Sequence, residues 1–301
     1  MAGRRSAVVA AGLLVAACAL FVPDRIASGF LDGNARSQLV GAGLSTAGDA
    51  EVGSGDAEVG SLPGGGVPST ATPFEGFAFL GALFPHGSGS PHTCTGSVVR
   101  EPSRSVVLTA AHCVSGDGRG LRFVPGYRDG TAPYGEWTVT AVYADPRWTA
   151  SQDPHHDYAF LVVAPRADAL GHPQRLGDVV DGREIGAAPD GATPVRLLAY
   201  PAGIDDRPVT CTRAARREDE YPALDCHGYA SGTSGGPWLA PAGGRSVIRG
   251  VIGGLHQGGC LESTSYSAPF GPATLAVLGR ATQAAAPDVL PVPGGDGCPP
   301  S

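Results

Sequence analysis

The chain has 301 residues, 42% of them apolar and 16% charged, which supports a sizeable core and excludes disorder throughout. A net charge of −7 speaks against nucleic acid as a partner, since phosphate binding relies on a basic face. The excess of Gly (46) and Pro (27) disfavours a helical bundle and favours many turns beside an all-β body.

Arg4 and Arg5 precede an apolar stretch from Ala7 to Val22, stopped by Pro23. A basic start and an apolar run shorter than the ~20 residues of a membrane span form a secretory signal. Ala27, Ser28 and Gly29 suit cleavage, so residues 1–29 are expected to be a signal peptide and the protein extracellular. An alternative lies in the same stretch: Val15-Ala16-Ala17-Cys18 has the form of a lipobox, which would anchor the chain to a membrane through a lipidated Cys18. Without that lipid no membrane contact is expected.

Residues 30–73 are rich in Gly, Ala and Asp, and Gly48–Ser54 is repeated identically as Gly55–Ser61. Each copy carries Val as its one large apolar residue, too little buried surface to offset the entropy of ordering. A flexible linker or pro-segment is expected there. From Phe74 the pattern turns to β. Strands are expected over 77–84, 95–99, 106–109, 137–143, 158–163, 195–200, 247–252 and 264–268, with one helix over 273–285. Residues 288–301 read as a Pro/Gly-rich tail.

Of seven cysteines, Cys18 lies in the apolar run, which leaves Cys94, Cys113, Cys211, Cys226, Cys260 and Cys298. An even count in an exported chain reads as disulfides, though spacing alone leaves the pairing open. No C-x-x-C pair occurs, and neither a metal nor any other cofactor is expected. His155 and His156 are adjacent and are expected to be solvated loop residues rather than ligands. Arg213, Arg216 and Arg217 are also expected on a solvated loop.

Three separated stretches carry the chemistry: Leu108 to Cys113 around His112, His156 to Leu161 around Asp157, and Ser231 to Pro237 around Ser234. A serine hydroxyl is a poor nucleophile until a base takes its proton, and an imidazole serves near neutral pH. A buried carboxylate then fixes the imidazole tautomer and stabilises the imidazolium. Gly232 and Gly235 let the backbone turn tightly, so the amides of Gly232 and Ser234 can point into one oxyanion hole.

In these residues the chain resembles the chymotrypsin/trypsin-like serine peptidases, in the form of a bacterial, actinobacterial-type secreted member. Thr109-Ala110-Ala111-His112-Cys113, Asp157-Tyr158-Ala159 and Gly232-Thr233-Ser234-Gly235-Gly236-Pro237 match the family's three signatures in its order. Every basic residue being Arg, beside abundant Ala, Gly and Pro, fits the bacterial reading. The resemblance implies an all-β fold of two antiparallel six-stranded barrels with a C-terminal helix, spanning 74–287. It further implies a secreted, monomeric serine endopeptidase acting on protein or peptide substrates through an acyl-enzyme. A catalytically silent homologue acting as a binding protein is the alternative.

The departures from the family carry information. Thr233 replaces the aspartate that in many relatives pairs with a newly cut N-terminus, so that switch is not expected here. Gly228 stands where trypsin-like cleavage needs an acid at the pocket base, so a strong preference for basic side chains is not expected by that route. The substrate pocket is expected from Gly228, Tyr229, Gly253, Gly254 and His256, with Asp225 and Glu262 as other sources of charge. Cys94 and Cys113 match the family's histidine-loop disulfide. Ala230 replaces a further family cysteine; Cys211 and Cys226 would close a short charged loop, and Cys260 would then meet Cys298.

Overall fold

The computed structural model describes residues 69–202 and 207–299. The expected signal peptide, lipidation at Cys18 and the tandem repeat lie outside the described residues.

The chain runs through β1 (Thr72–Pro73), β2 (Leu80–Phe84), β3 (Cys94–Val98), β4 (Val106–Thr109), β5 (Arg122–Pro125) and β6 (Trp137–Ala144). A short helix α1 (Pro146–Ser151) leads to β7 (Ala159–Val163), the small ribbon of β8 (Arg166–Ala167) and β9 (Pro173–Gln174), and α2 (Leu176–Val179). Then follow β10 (Pro194–Ala199), β11 (Val209–Ala214), β12 (Arg216–Glu218), β13 (Tyr221–Asp225), β14 (Pro237–Ala242), β15 (Arg245–Val251), β16 (Thr264–Tyr266) and α3 (Pro272–Thr282).

Strands β2-β3-β4-β7-β6-β5 close into a barrel. Its short apolar strands are buried on both faces: every residue of β2, β3 and β4 is inaccessible. Leu108 and Phe160 are buried on one face of the barrel wall and Val98, Val142 and Leu161 on the other, in one cluster with Phe123, each such side chain worth ~1.5–3 kcal/mol of apolar burial. This is the first of two β bodies. The second is laid out as a five-stranded sheet β1-β11-β10-β14-β15 and a three-stranded sheet β12-β13-β16. Two features join those sheets: the disulfide from Cys211 on β11 to Cys226 after β13, and the strand at residues 69–73. In that strand Thr72 pairs with Thr210 while the Ala71 amide donates to the His227 carbonyl at 2.8 Å. Residues 69–73, assigned to the linker on composition, thus run along the second body.

The double-barrel expectation holds, and α3 replaces the expected C-terminal helix with bounds shifted by a few residues. Its buried Thr274, Val277 and Ala281 face the protein interior. The strands absent from the sequence reading are the two-residue β1, β8 and β9 and the longer β5, β11, β12, β13 and β14. Pro222 breaks the apolar run of β13, and Pro237 and Pro241 bracket β14. In β11, Val209 and Cys211 are buried while Thr210 and Thr212 are half-exposed, so its alternation is carried by one apolar and one polar pair. Among the described residues no helix is long and apolar enough to cross a membrane.

Candidate active site

His112 sits in a single 3-10 turn, Ala111–Cys113, where the chain leaves β4. The next residue is fastened back to β3 by the Cys94–Cys113 disulfide. Asp157 follows a second 3-10 turn, Pro154–His156, that Asp153 caps through the His155 amide. Both turns end beside β4 and β7, which pair directly, so the two side chains meet. The Asp157 Oδ2 lies 2.7 Å from His112 Nδ1, and its Oδ1 accepts from the His112 amide at 2.9 Å. A third donor, the Gly254 amide, reaches Oδ2 at 2.9 Å. The carboxylate is fully buried, and the imidazole is 8% exposed. Held on both oxygens, Asp157 fixes the ring's orientation and favours the tautomer with the proton on Nδ1 and a free lone pair on Nε2.

Ser234 lies on the second body, in the loop before β14. Gly232 and Gly235 flank it with φ of +91° and +80°, a region that glycine enters at little cost. A Cβ at Gly235 would meet Thr109 Oγ1 at 2.1 Å, so no larger residue fits. Thr95 on β3 fastens this loop to the first barrel. Its amide donates to the Ser234 carbonyl at 2.8 Å, and its Oγ1 donates to the Gly232 carbonyl at 3.1 Å. Among the described residues neither the Gly232 amide nor the Ser234 amide has an intrachain acceptor, an arrangement in which both can donate to an incoming oxyanion. Thr233 is buried and bonds to the Ala230 carbonyl through both its amide and its hydroxyl, so the position before Ser234 is satisfied locally.

His112 and Ser234 line one cleft of about 490 Å³, together with Gly232, Tyr229, His256 and Glu262. The residues expected to shape the pocket separate into two groups. Tyr229 and His256 line the cleft, although Tyr229 turns its hydroxyl inward to the Leu197 carbonyl at 3.0 Å. Gly253 and Gly254 instead lie behind Asp157, where a Cβ on Gly253 would stand 2.9 Å from the Asp157 carbonyl. Gly228 backs onto Ala71. Of the two candidate acids, Asp225 is spent on a fork with Arg216 (2.7 and 2.8 Å) and on Thr264, whereas Glu262 reaches the cleft.

His155 is partly exposed in its turn as expected, whereas His156 is not the solvated residue expected. His155 stacks on Tyr221 with ring centroids 4.5 Å apart. His156, with a side chain 12% exposed, sits 3.6 Å from Asp145, because the capped 3-10 turn folds it inward. The six cysteines among the described residues are all paired, as Cys94–Cys113, Cys211–Cys226 and Cys260–Cys298. His112 and His256 each lie near two sulfurs, but those sulfurs are spent in disulfides and offer no thiolate to a metal. Thr95 is the residue of the site that sequence reasoning missed: it opens the expected strand 95–99, yet the loop groups its hydroxyl holds are more than a hundred residues away.

Two β bodies with a His–Asp pair on one and an exposed-amide serine loop on the other define the chymotrypsin-like serine protease fold. The sequence profile of the trypsin-like peptidase domain matches residues 94–248, and the chain belongs to that family. A solved structure of the protease Anisep from Arthrobacter nicotinovorans is 26% identical, covering 71% of this chain and all of its own, with a TM-score of 0.61. The thermostable serine protease AL20 from an extremophilic microorganism is 22% identical over 68% of this chain and 97% of its own, at TM-score 0.58. A Glu endopeptidase shares the fold at 18% identity, over 71% of this chain and 97% of its own, with TM-score 0.55. No curated protein sequence matches the chain.

Proposed function

We propose that the protein is a secreted serine endopeptidase in which His112, Asp157 and Ser234 form the catalytic triad. The observation that carries this reading is the pairing of buried Asp157 with His112 at 2.7 Å, at the wall of a cleft shared with Ser234. His112 Nε2 takes the proton from Ser234 Oγ as that oxygen attacks the peptide carbonyl carbon. The carbonyl oxygen gains the negative charge and is held by the amides of Gly232 and Ser234. His112 then gives its proton to the departing amine, which leaves an acyl group on Ser234. Water, deprotonated in turn by His112, hydrolyses that ester and restores the serine.

The chain's own residues suffice for this cycle. Three disulfides suit an oxidising, extracellular setting, in keeping with export through residues 1–29. Gly228, six positions before Ser234, carries no charge and backs onto Ala71, so it supplies no acid for a trypsin-type preference. A fluorophosphonate probe tests the reading: it is expected to label Ser234 in the folded, disulfide-intact protein and not in Ser234→Ala. Absence of labelling would favour a silent homologue that binds rather than cuts.

A further inference from the structure

The C-terminal tail is not loose. It starts on the first barrel, where the Asp288 amide donates to the Val142 carbonyl at 2.9 Å and Leu290 exchanges backbone bonds with Gly116 at 2.7 and 2.9 Å. It then runs past Gln152, whose side chain bonds the Val292 carbonyl at 3.1 Å and the Gly294 amide at 2.7 Å. It ends on the second body, at the loop that lines the cleft. There Gln257 Nε2 donates to the Gly294 carbonyl at 2.8 Å, His256 Nδ1 lies 3.0 Å from the Asp296 carbonyl, and Cys298 is bonded to Cys260. His256, Gln257, Cys260 and Asp296 all line the cleft.

This loop has an uncommon backbone. His256 and Gln257, neither of them glycine, are consecutively left-handed, with φ of +53° and +52°. Such a conformation persists only where the surroundings impose it, and the tail supplies those surroundings through both side chains. We propose that the tail is a strap across the two β bodies that positions the His256–Gln257 wall against bound peptide, with Cys260–Cys298 as its latch. This rests on the peptidase reading above and adds positioning residues outside the triad. It also gives substrates a distinct requirement: an extended peptide long enough to touch the wall benefits from the strap, and a reagent that reaches only Ser234 does not.

The test compares two rates in the wild-type chain and in Cys260→Ser/Cys298→Ser. One is kcat/KM for an extended quenched peptide; the other is inactivation by diisopropyl fluorophosphate, which occupies the nucleophile alone. Opening the latch is expected to lower the first about fivefold relative to the second, with the loss in KM. Parallel loss of both, or change in neither, overturns the proposal, because a strap that only stabilises would not separate them. Should the double variant fail to fold, Gln257→Ala in the disulfide-intact chain is expected to shift the same ratio about twofold. Peptide binding to Ser234→Ala, read by fluorescence anisotropy, is expected to weaken about fivefold without the latch. That arm is independent of catalysis, so binding without any serine modification would overturn the peptidase reading and leave the wall standing.

Discussion

The amide of Thr95 donates to the carbonyl of Ser234 at 2.8 Å, so a strand of the first barrel holds the Ser234 loop of the second body. The same residue's hydroxyl bridges the loop further, accepting from the Tyr200 amide at 2.9 Å while donating to the Gly232 carbonyl at 3.1 Å. The His–Asp pair and the serine sit on different bodies, and Thr95 sets one against the other at a fully buried position.

Thr95→Val keeps the shape and removes the hydroxyl, leaving the Tyr200 amide and Gly232 carbonyl without it. We expect a loss of ~1–3 kcal/mol in urea unfolding. With its carbonyl released, Gly232 is held less firmly and its amide, in the preceding peptide, is aimed less well at the oxyanion, so kcat should fall roughly 10–100-fold with KM little changed. A variant with full kcat would show that the hydroxyl only stabilises.

Asp157→Asn puts an NH₂ among three donors: the His112 amide, the His112 ring and the Gly254 amide. One oxygen cannot satisfy all three, and the imidazole is pushed towards the wrong tautomer. The expected result is a fall in kcat of about 10⁴-fold with the fold retained, checked by single-turnover peptide hydrolysis beside thermal unfolding.

The catalytic candidates were legible because each sits in a short local signature, as do the glycines that turn the serine loop. The three disulfide pairs were also anticipated, and what escaped was the hydrogen bonding between distant residues. Thr95 acts on residues 105 and 137 positions away, and no local pattern announces that. Gly254 reads as a pocket residue from its place after β15, whereas its amide serves Asp157. Residues 288–301 read only as a Pro/Gly-rich tail with Cys298 tied to Cys260, whereas Gln152, His256 and Gln257 also fasten it from elsewhere in the chain. Composition reports how freely a segment would move alone and not which side chains will hold it.

Gly235→Ala should be among the most damaging single substitutions. With φ of +80° and a Cβ driven into Thr109 Oγ1 on β4 and the Thr95 carbonyl on β3, either the loop or those two strands must move. We expect ~3 kcal/mol or more of lost stability, together with loss of Ser234 labelling. Gly243→Ala is the comparison, since its φ is +57° but nothing lies within 4 Å; it should cost ~1 kcal/mol and leave labelling intact. Equal effects of the two would show that the tight contact at Gly235 relaxes freely.

Asp145 and His156 should make the fold acid-sensitive in two steps. Burial favours protonation of Asp145, but its bonds from the Arg147 side chain and amide outweigh that and lower its pKa. Burial lowers the pKa of His156, against the opposing pull of Asp145 at 3.6 Å. Each group is therefore depressed in the folded state and binds protons more readily when unfolded. The stability due to His156 is present above its unfolded pKa of ~6.5 and is lost as pH falls through its lower folded value. That due to Asp145 is present above ~3.9 and is lost as pH falls further. Urea unfolding from about pH 8 down to about pH 3 should show His156→Gln flattening the upper step and Asp145→Asn the lower. Unchanged slopes in both variants would place the acid sensitivity in other groups.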